Sequence, residues 1–342
     1  MLSRIRRFVS LATLALLVPA SAFAAGSLFD KGAAPPGPAD DIAPSMGVFR
    51  IVVDAPWQPW FNANLAAGPF WDPVTGKLTS PVLYDNTTTI GRSAAHTQGS
   101  AADVGGASVG TAATSVKDGD MMFPPGYNSA NPSRYEVHTE VRKLNLTDGP
   151  GCGLTTVCSG MAIPLSVTGG SGNALPVCPG EIEANGVDGF PAKSFFDVFV
   201  TVDIGSGIGG FGPVANNTSD PLLVTHDPIN DFPPKVVYIH ENPAAVPVYF
   251  TSAGSTTLPP ILNWNAGDRF GYLVLAGHAE DSRCADSTLN CDDFWNQVTS
   301  GKEMCLPGSL PGIGEWGTIA LATLLLLAGL WAVTRRRQTS LA

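Results

Sequence analysis

Five histidines, six cysteines and a handful of acidic groupings are the residues of this 342-residue chain with chemistry to offer. The histidines are His96, His138, His226, His240 and His278. His226-Asp227 and His278 with Glu280 and Asp281 have the make-up of acid–base pairs, but no nucleophile accompanies either. The sequence therefore reads all five as separate histidines at strand ends. His240-Glu241 begins like a zinc-binding H-E-x-x-H helix, but Ala244 replaces the second histidine and Pro243 forbids the helix. The acidic groupings are Asp118-Gly119-Asp120, Glu181-x-Glu183, and Asp281 with Asp286, Asp292 and Asp293. None has EF-hand spacing, so solvated loop carboxylates are expected, with a structural calcium as the lesser alternative and no other cofactor.

Two further motifs dissolve on inspection. Gly205 to Gly210 fits G-x-G-x-x-G, but Phe211-Gly212-Pro213 cannot open the helix a dinucleotide site needs, so a hairpin loop is expected. No G-x-S-x-G nucleophile elbow occurs; near Ser171, Asn173 takes the place of the last glycine.

The cysteines fall into two clusters of three: Cys152, Cys158 and Cys178, then Cys284, Cys291 and Cys305. Neither cluster holds a histidine or a C-x-x-C pair, which argues against zinc and for disulfides. Full pairing requires at least one bridge between clusters. The expected arrangement is Cys152–Cys158, Cys284–Cys291 and a crossing Cys178–Cys305. Trp57, Trp60, Phe61, Phe70 and Trp71 form the densest aromatic cluster. It reads first as a cap on a β core. Exposed, the indoles of Trp57, Trp60 and Trp71 would instead stack on polysaccharide.

The elements that must position these residues are strands. In Phe195–Ile204, Phe196, Val198, Val200, Val202 and Ile204 alternate with Asp197, Thr201 and Asp203. From Tyr135, the residues Tyr135, Val137, Thr139 and Val141 alternate with Glu136, His138, Glu140 and Arg142. Period-two alternation marks half-buried strands. Shorter candidates are Val48–Val53, Ala162–Val167, Leu222–Thr225, Lys235–Ile239, Val246–Thr251 and Arg269–Ala276, divided by Gly, Pro and Asn clusters. The expected fold is all-β, an antiparallel sandwich-like body with long loops. The segment 91–120, rich in small residues, reads as a long loop or as tightly packed strands.

Both ends read as addresses. Arg4, Arg6 and Arg7 precede the apolar run Phe8–Val18 and the small-x-small site Ala22-Phe23-Ala24, the anatomy of a signal peptide. Trp316–Val333 is an uncharged run of 18 residues followed by Arg335, Arg336 and Arg337. As a helix it spans about 27 Å, close to a bilayer core, with the arginines on the cytoplasmic side. The expected organisation is a signal peptide at 1–24, a β-rich extracellular body at 25–278, a Cys-rich acidic segment at 279–309 and a C-terminal tail at 310–342.

The tail begins Leu310-Pro311-Gly312-Ile313-Gly314-Glu315-Trp316-Gly317. It resembles the IPTL-CTERM sorting signals of bacterial surface proteins, relatives of the PEP-CTERM tails. Pro311, Trp316 and Gly317 match that motif, Leu310 and Ile313 are conservative replacements, and Gly312 stands where the family has threonine. The signal segment makes signal peptidase an expected partner, and the resemblance implies an exosortase-type membrane processing enzyme as another, with the C-terminal helix held in the inner membrane beforehand.

The formal net charge is −10, and six of the 19 basic residues but only one of the 29 acidic ones lie in the two ends. The body is therefore strongly acidic, which excludes nucleic acid as a partner. Taken together, the sequence predicts an exported, non-enzymatic protein of the cell surface or extracellular matrix. The alternatives are a secreted hydrolase with a non-local site and a carbohydrate-binding module.

Overall fold

The computed structural model describes residues 38–111, 114–128, 134–148, 163–186, 189–230 and 236–280, with Pro234, Val298, Met304 and Leu306. The signal segment, the tail from Leu310 and five of the six cysteines lie outside the described residues. The described chain is mostly antiparallel β-sheet, as the alternating, β-branched runs predict. Among the described residues no helix is long and apolar enough to cross a membrane.

Among the described residues, seventeen strands belong to one continuous sheet. The strand Tyr135–Asp148 pairs with Cys178–Gly186, which pairs with Gly189–Val198, then Leu222–Ile229, Val237–His240 and Arg269–Glu280. Arg269–Glu280 pairs with Ser45–Val53, and Ser45–Val53 with Leu83–Asp85, which returns to the end of Tyr135–Asp148. The ladder thus closes on itself, and closure leaves these strands no free edge there. The body is held by hydrogen bonding all the way round.

One face of the ladder carries an apolar core. Val141, Leu144, Leu146, Phe196, Val198, Val200, Val202 and Ile204 are buried in it. Trp57, Trp60 and Trp71 join the same core at 8%, 0% and 1% exposure. They are therefore no polysaccharide platform. The helix Gln58–Asn64 turns Trp60 and Phe61 inward, and Phe211 packs at 5.2 Å from Trp60 and 5.3 Å from Phe61 between ring centroids. The indole N–H groups of Trp57 and Trp60 donate to the carbonyls of Arg269 and Leu258 at 2.9 and 3.1 Å, so no polar edge is left for a sugar.

The opposite face of Tyr135–Asp148 is buried as well, and this corrects the half-buried reading. Glu136, His138 and Glu140 are each no more than 1% exposed. His138 is covered by residues 98–111 and 114–128, which leave the sheet as a short helix (Ala101–Gly105), a small hairpin (Ala107–Val109 with Thr114–Val116) and a 3-10 turn (Asp118–Asp120), while Ser171 donates to Glu140. The G-x-G-x-x-G stretch forms the expected hairpin loop, with Gly205 and Gly209 in the left-handed region at φ 75° and 86°.

Cys178, expected to bridge to Cys305, is a free thiol. It is fully buried on its strand, where Sγ accepts from the Phe199 N–H at 3.2 Å. Burial pushes the thiol up to about 12, so it stays protonated.

Candidate metal centre

Register assembles the site. Glu136 stands opposite His96 on one side and Glu183 on the other, and Glu183 stands opposite Lys193. Two positions along, on the same face, His138 faces Glu181. Residues directly opposite in a ladder share a face, so two histidines and three glutamates meet on one patch of sheet. The covering segment adds Asp103 from its helix and Asp118 from its 3-10 turn.

Both histidines and both aspartates are oriented by a bond that faces away from the patch. His138 Nδ1 lies 2.8 Å from the Val116 carbonyl and His96 Nδ1 lies 3.1 Å from the Ala94 carbonyl. A carbonyl accepts only, so both Nδ1 atoms carry the proton and both Nε2 atoms present a lone pair. Asp103 Oδ2 accepts from the Gly99 N–H at 2.5 Å, in a turn that needs the positive φ of 75° at Gly99. Asp118 Oδ2 accepts from Asn128 Nδ2 at 2.7 Å. The other oxygen of each aspartate points at His138 Nε2, Asp103 Oδ1 at 3.4 Å and Asp118 Oδ1 at 3.3 Å. Glu136 Oε1 lies 3.6 Å from His96 Nε2.

Every atom turned inward is an acceptor. His96 Nε2, His138 Nε2, Asp103 Oδ1, Asp118 Oδ1 and both oxygens of Glu136 and of Glu181 are buried without a hydrogen-bond partner. Leaving such groups unmatched costs several kcal/mol apiece, so protons or cations must lie among them. Without a cation, the carboxyls keep protons. Burial and then the charges of Glu181, Asp103 and Asp118 push Glu136 up to about 10. Burial pushes Glu181 up to about 8, with Asp118 and Asp103 adding to it, and burial with the Asp103 carboxyl takes Asp118 to about 7. Asp103 is lowered: burial opposes this, but the Asp118 carboxyl, the Gly99 N–H and His138 outweigh it. Burial, followed by the neighbouring His96, drops His138 to about 4, so its imidazole stays neutral, the form that ligates metal.

Ligand atoms of His96, Asp103, Glu136 and His138 lie within 4.8 Å of one another, as do those of Asp118, His138 and Glu181. Imidazole and carboxylate donors without thiolate suit a divalent first-row metal such as manganese, iron or zinc. Glu183 is outside the set. Arg134 Nη1 pairs with Oε1, while Lys193 Nζ at 3.0 Å and the Asn128 N–H at 3.2 Å satisfy Oε2.

Of the residues the sequence pointed to, the structure brings together His96, His138, Asp118 and Glu181, which sequence reading kept apart. It adds Asp103 and Glu136. Asp120 instead accepts from the Lys117 N–H at 3.3 Å. His240 ends its strand. No serine–histidine pair forms at the centre: Ser93, beside His138, donates to the Ala94 carbonyl and accepts from the His138 N–H. No family model, curated protein or solved structure matches this chain.

Proposed function

We propose that this chain is an exported surface or extracellular-matrix protein whose β-rich body binds a divalent first-row metal at the centre formed by His96, Asp103, Asp118, Glu136, His138 and Glu181. The observation that carries the metal reading is the convergence of eight buried acceptors, with both histidines donating their Nδ1 protons elsewhere. Asp103, Glu136, His138 and Glu181 are each at most 1% exposed. A closed ligand set of this kind is characteristic of structural and storage sites, whereas catalytic metals keep an open position. The centre therefore serves binding and not turnover.

Export rests on the two ends: the signal segment 1–24, and the tail in which Leu310–Gly317 resembles an IPTL-CTERM motif, followed by the uncharged run Trp316–Val333 and Arg335–Arg337. The tail is cut near Leu310–Trp316 after export, and signal peptidase and a membrane processing enzyme act on the chain.

Both halves are testable. Thermal melts of the mature protein, stripped by chelator and then given Mn²⁺ or Zn²⁺, should rise with metal concentration, while Ca²⁺ has little effect. Melts indifferent to both transition metals would remove the metal reading. Mass spectrometry of the released protein should find no peptide containing Arg335; finding one would refute processing.

A further inference from the structure

We propose that the centre holds two divalent cations side by side, an inference that rests on the metal-binding reading above and specifies its occupant. The donors divide evenly. His96, Asp103 and Glu136 form one group, and His138, Asp118 and Glu181 the other; each is one imidazole with two carboxylates. His138 also lies near the first group, but its single free nitrogen ligates only one ion.

Donor number points the same way: the eight unpartnered acceptors exceed the six that one octahedral ion accommodates.

The carboxylates further divide by how many oxygens they offer. Asp103 and Asp118 each have one oxygen tied to an outside donor, Gly99 N–H or Asn128 Nδ2, and offer one inward. They are suited to end-on ligation of a single ion. Glu136 and Glu181 have both oxygens free and buried. A carboxylate of that kind bridges two ions, and paired metal sites place their ions roughly 3.5–4 Å apart. The two glutamates come from adjacent paired strands, Tyr135–Asp148 and Cys178–Gly186, and sit two ladder positions apart on the same face, since Glu136 faces Glu183 and His138 faces Glu181. The nearby Lys193 ammonium is engaged by Glu183 and lies 4.4 Å over the Tyr127 ring.

The test is metal stoichiometry on the mature protein, stripped and reconstituted with Mn²⁺, together with its electron paramagnetic resonance spectrum. The expected result is two manganese ions per chain and the broadened, exchange-coupled spectrum of a pair. Glu181→Gln, nearly isosteric, should lower the content to one and restore the six-line spectrum of an isolated ion. One ion per chain with a six-line spectrum in the unaltered protein would overturn the pair and leave the metal-binding reading intact. No bound manganese and no bound zinc would overturn both. Two ions retained in both His96→Ala and His138→Ala would place the metal elsewhere and overturn the proposal. The spectrum of the unaltered protein decides the question even if a variant fails to fold.

Discussion

His138 and Glu181 stand directly opposite each other across two antiparallel strands, both fully buried, and neither His138 Nε2 nor either Glu181 oxygen has a hydrogen-bond partner. Two facing buried acceptors need a proton or a cation between them.

Replacing His138 should abolish metal-dependent stabilisation. At a free concentration of about 100 times Kd, a bound ion stabilises the unaltered protein by ~2.7 kcal/mol. His138→Ala should show almost none of this in parallel urea titrations with and without Mn²⁺. Equal stabilisation in the two proteins would remove His138 from the site.

Asn128→Ala should weaken metal binding without removing a ligand. Asn128 holds Asp118 by its Oδ2 at 2.7 Å, which aims Oδ1 inward. Losing such an orienting partner lowers affinity roughly 10–100-fold. Isothermal titration with Mn²⁺ measures this, and unchanged affinity would show that Asp118 needs no such orientation.

Asp197 sets a pH dependence independent of the metal. It is 2% exposed, and burial pushes its carboxyl up to about 7 against a reference of 3.8, although the Met122 N–H donates to it. A raised pKa means that the folded state keeps a proton which the unfolded state has released. This contribution to stability is complete below about pH 4 and is lost as pH rises through about 7. The loss amounts to as much as ~4 kcal/mol. Relative to the unaltered protein, Asp197→Asn should gain stability between pH 4 and 8 by a few kcal/mol. The site carboxyls are common to both proteins and cancel in the difference. A pH-independent difference would contradict this.

Trp60→Ala should cost about 3–5 kcal/mol, as expected for deleting a fully buried aromatic residue. Its phenotype should be a lower unfolding midpoint. Full stability with loss of polysaccharide retention would restore the binding-face reading.

Cys178 should be alkylated only after denaturation, without prior reduction. Peptide mapping that recovers Cys178 joined to Cys305 would contradict its place between the Phe199 backbone groups.

The strands were legible because alternation over Phe195–Ile204 and Tyr135–Leu146 is a local signal, although the first run divides at Phe199 into the ends of two strands, Gly189–Val198 and Val200–Ile204. The same alternation misled about the second face. Glu136, His138 and Glu140 look like the solvent side of a strand, and nothing local announces that Asp103, Val116 and Asp118 fold over His138 or that Ser171 reaches Glu140. The Glu136-x-His138 and Glu181-x-Glu183 spacings were visible, but only the antiparallel register sets His138 against Glu181. Asp103 lies in a stretch of small residues that gave no sign of a ligand. The aromatic cluster was read correctly as a core cap, since indole and phenyl rings so close in sequence bury each other.

Anomalous diffraction from crystals grown with Mn²⁺, collected at the manganese edge, tests the central claim most directly. The account predicts density about 2.1–2.2 Å from His138 Nε2, among Asp118, Glu181 and Glu136. A map without anomalous density in that space, with the six side chains placed as described, would contradict it.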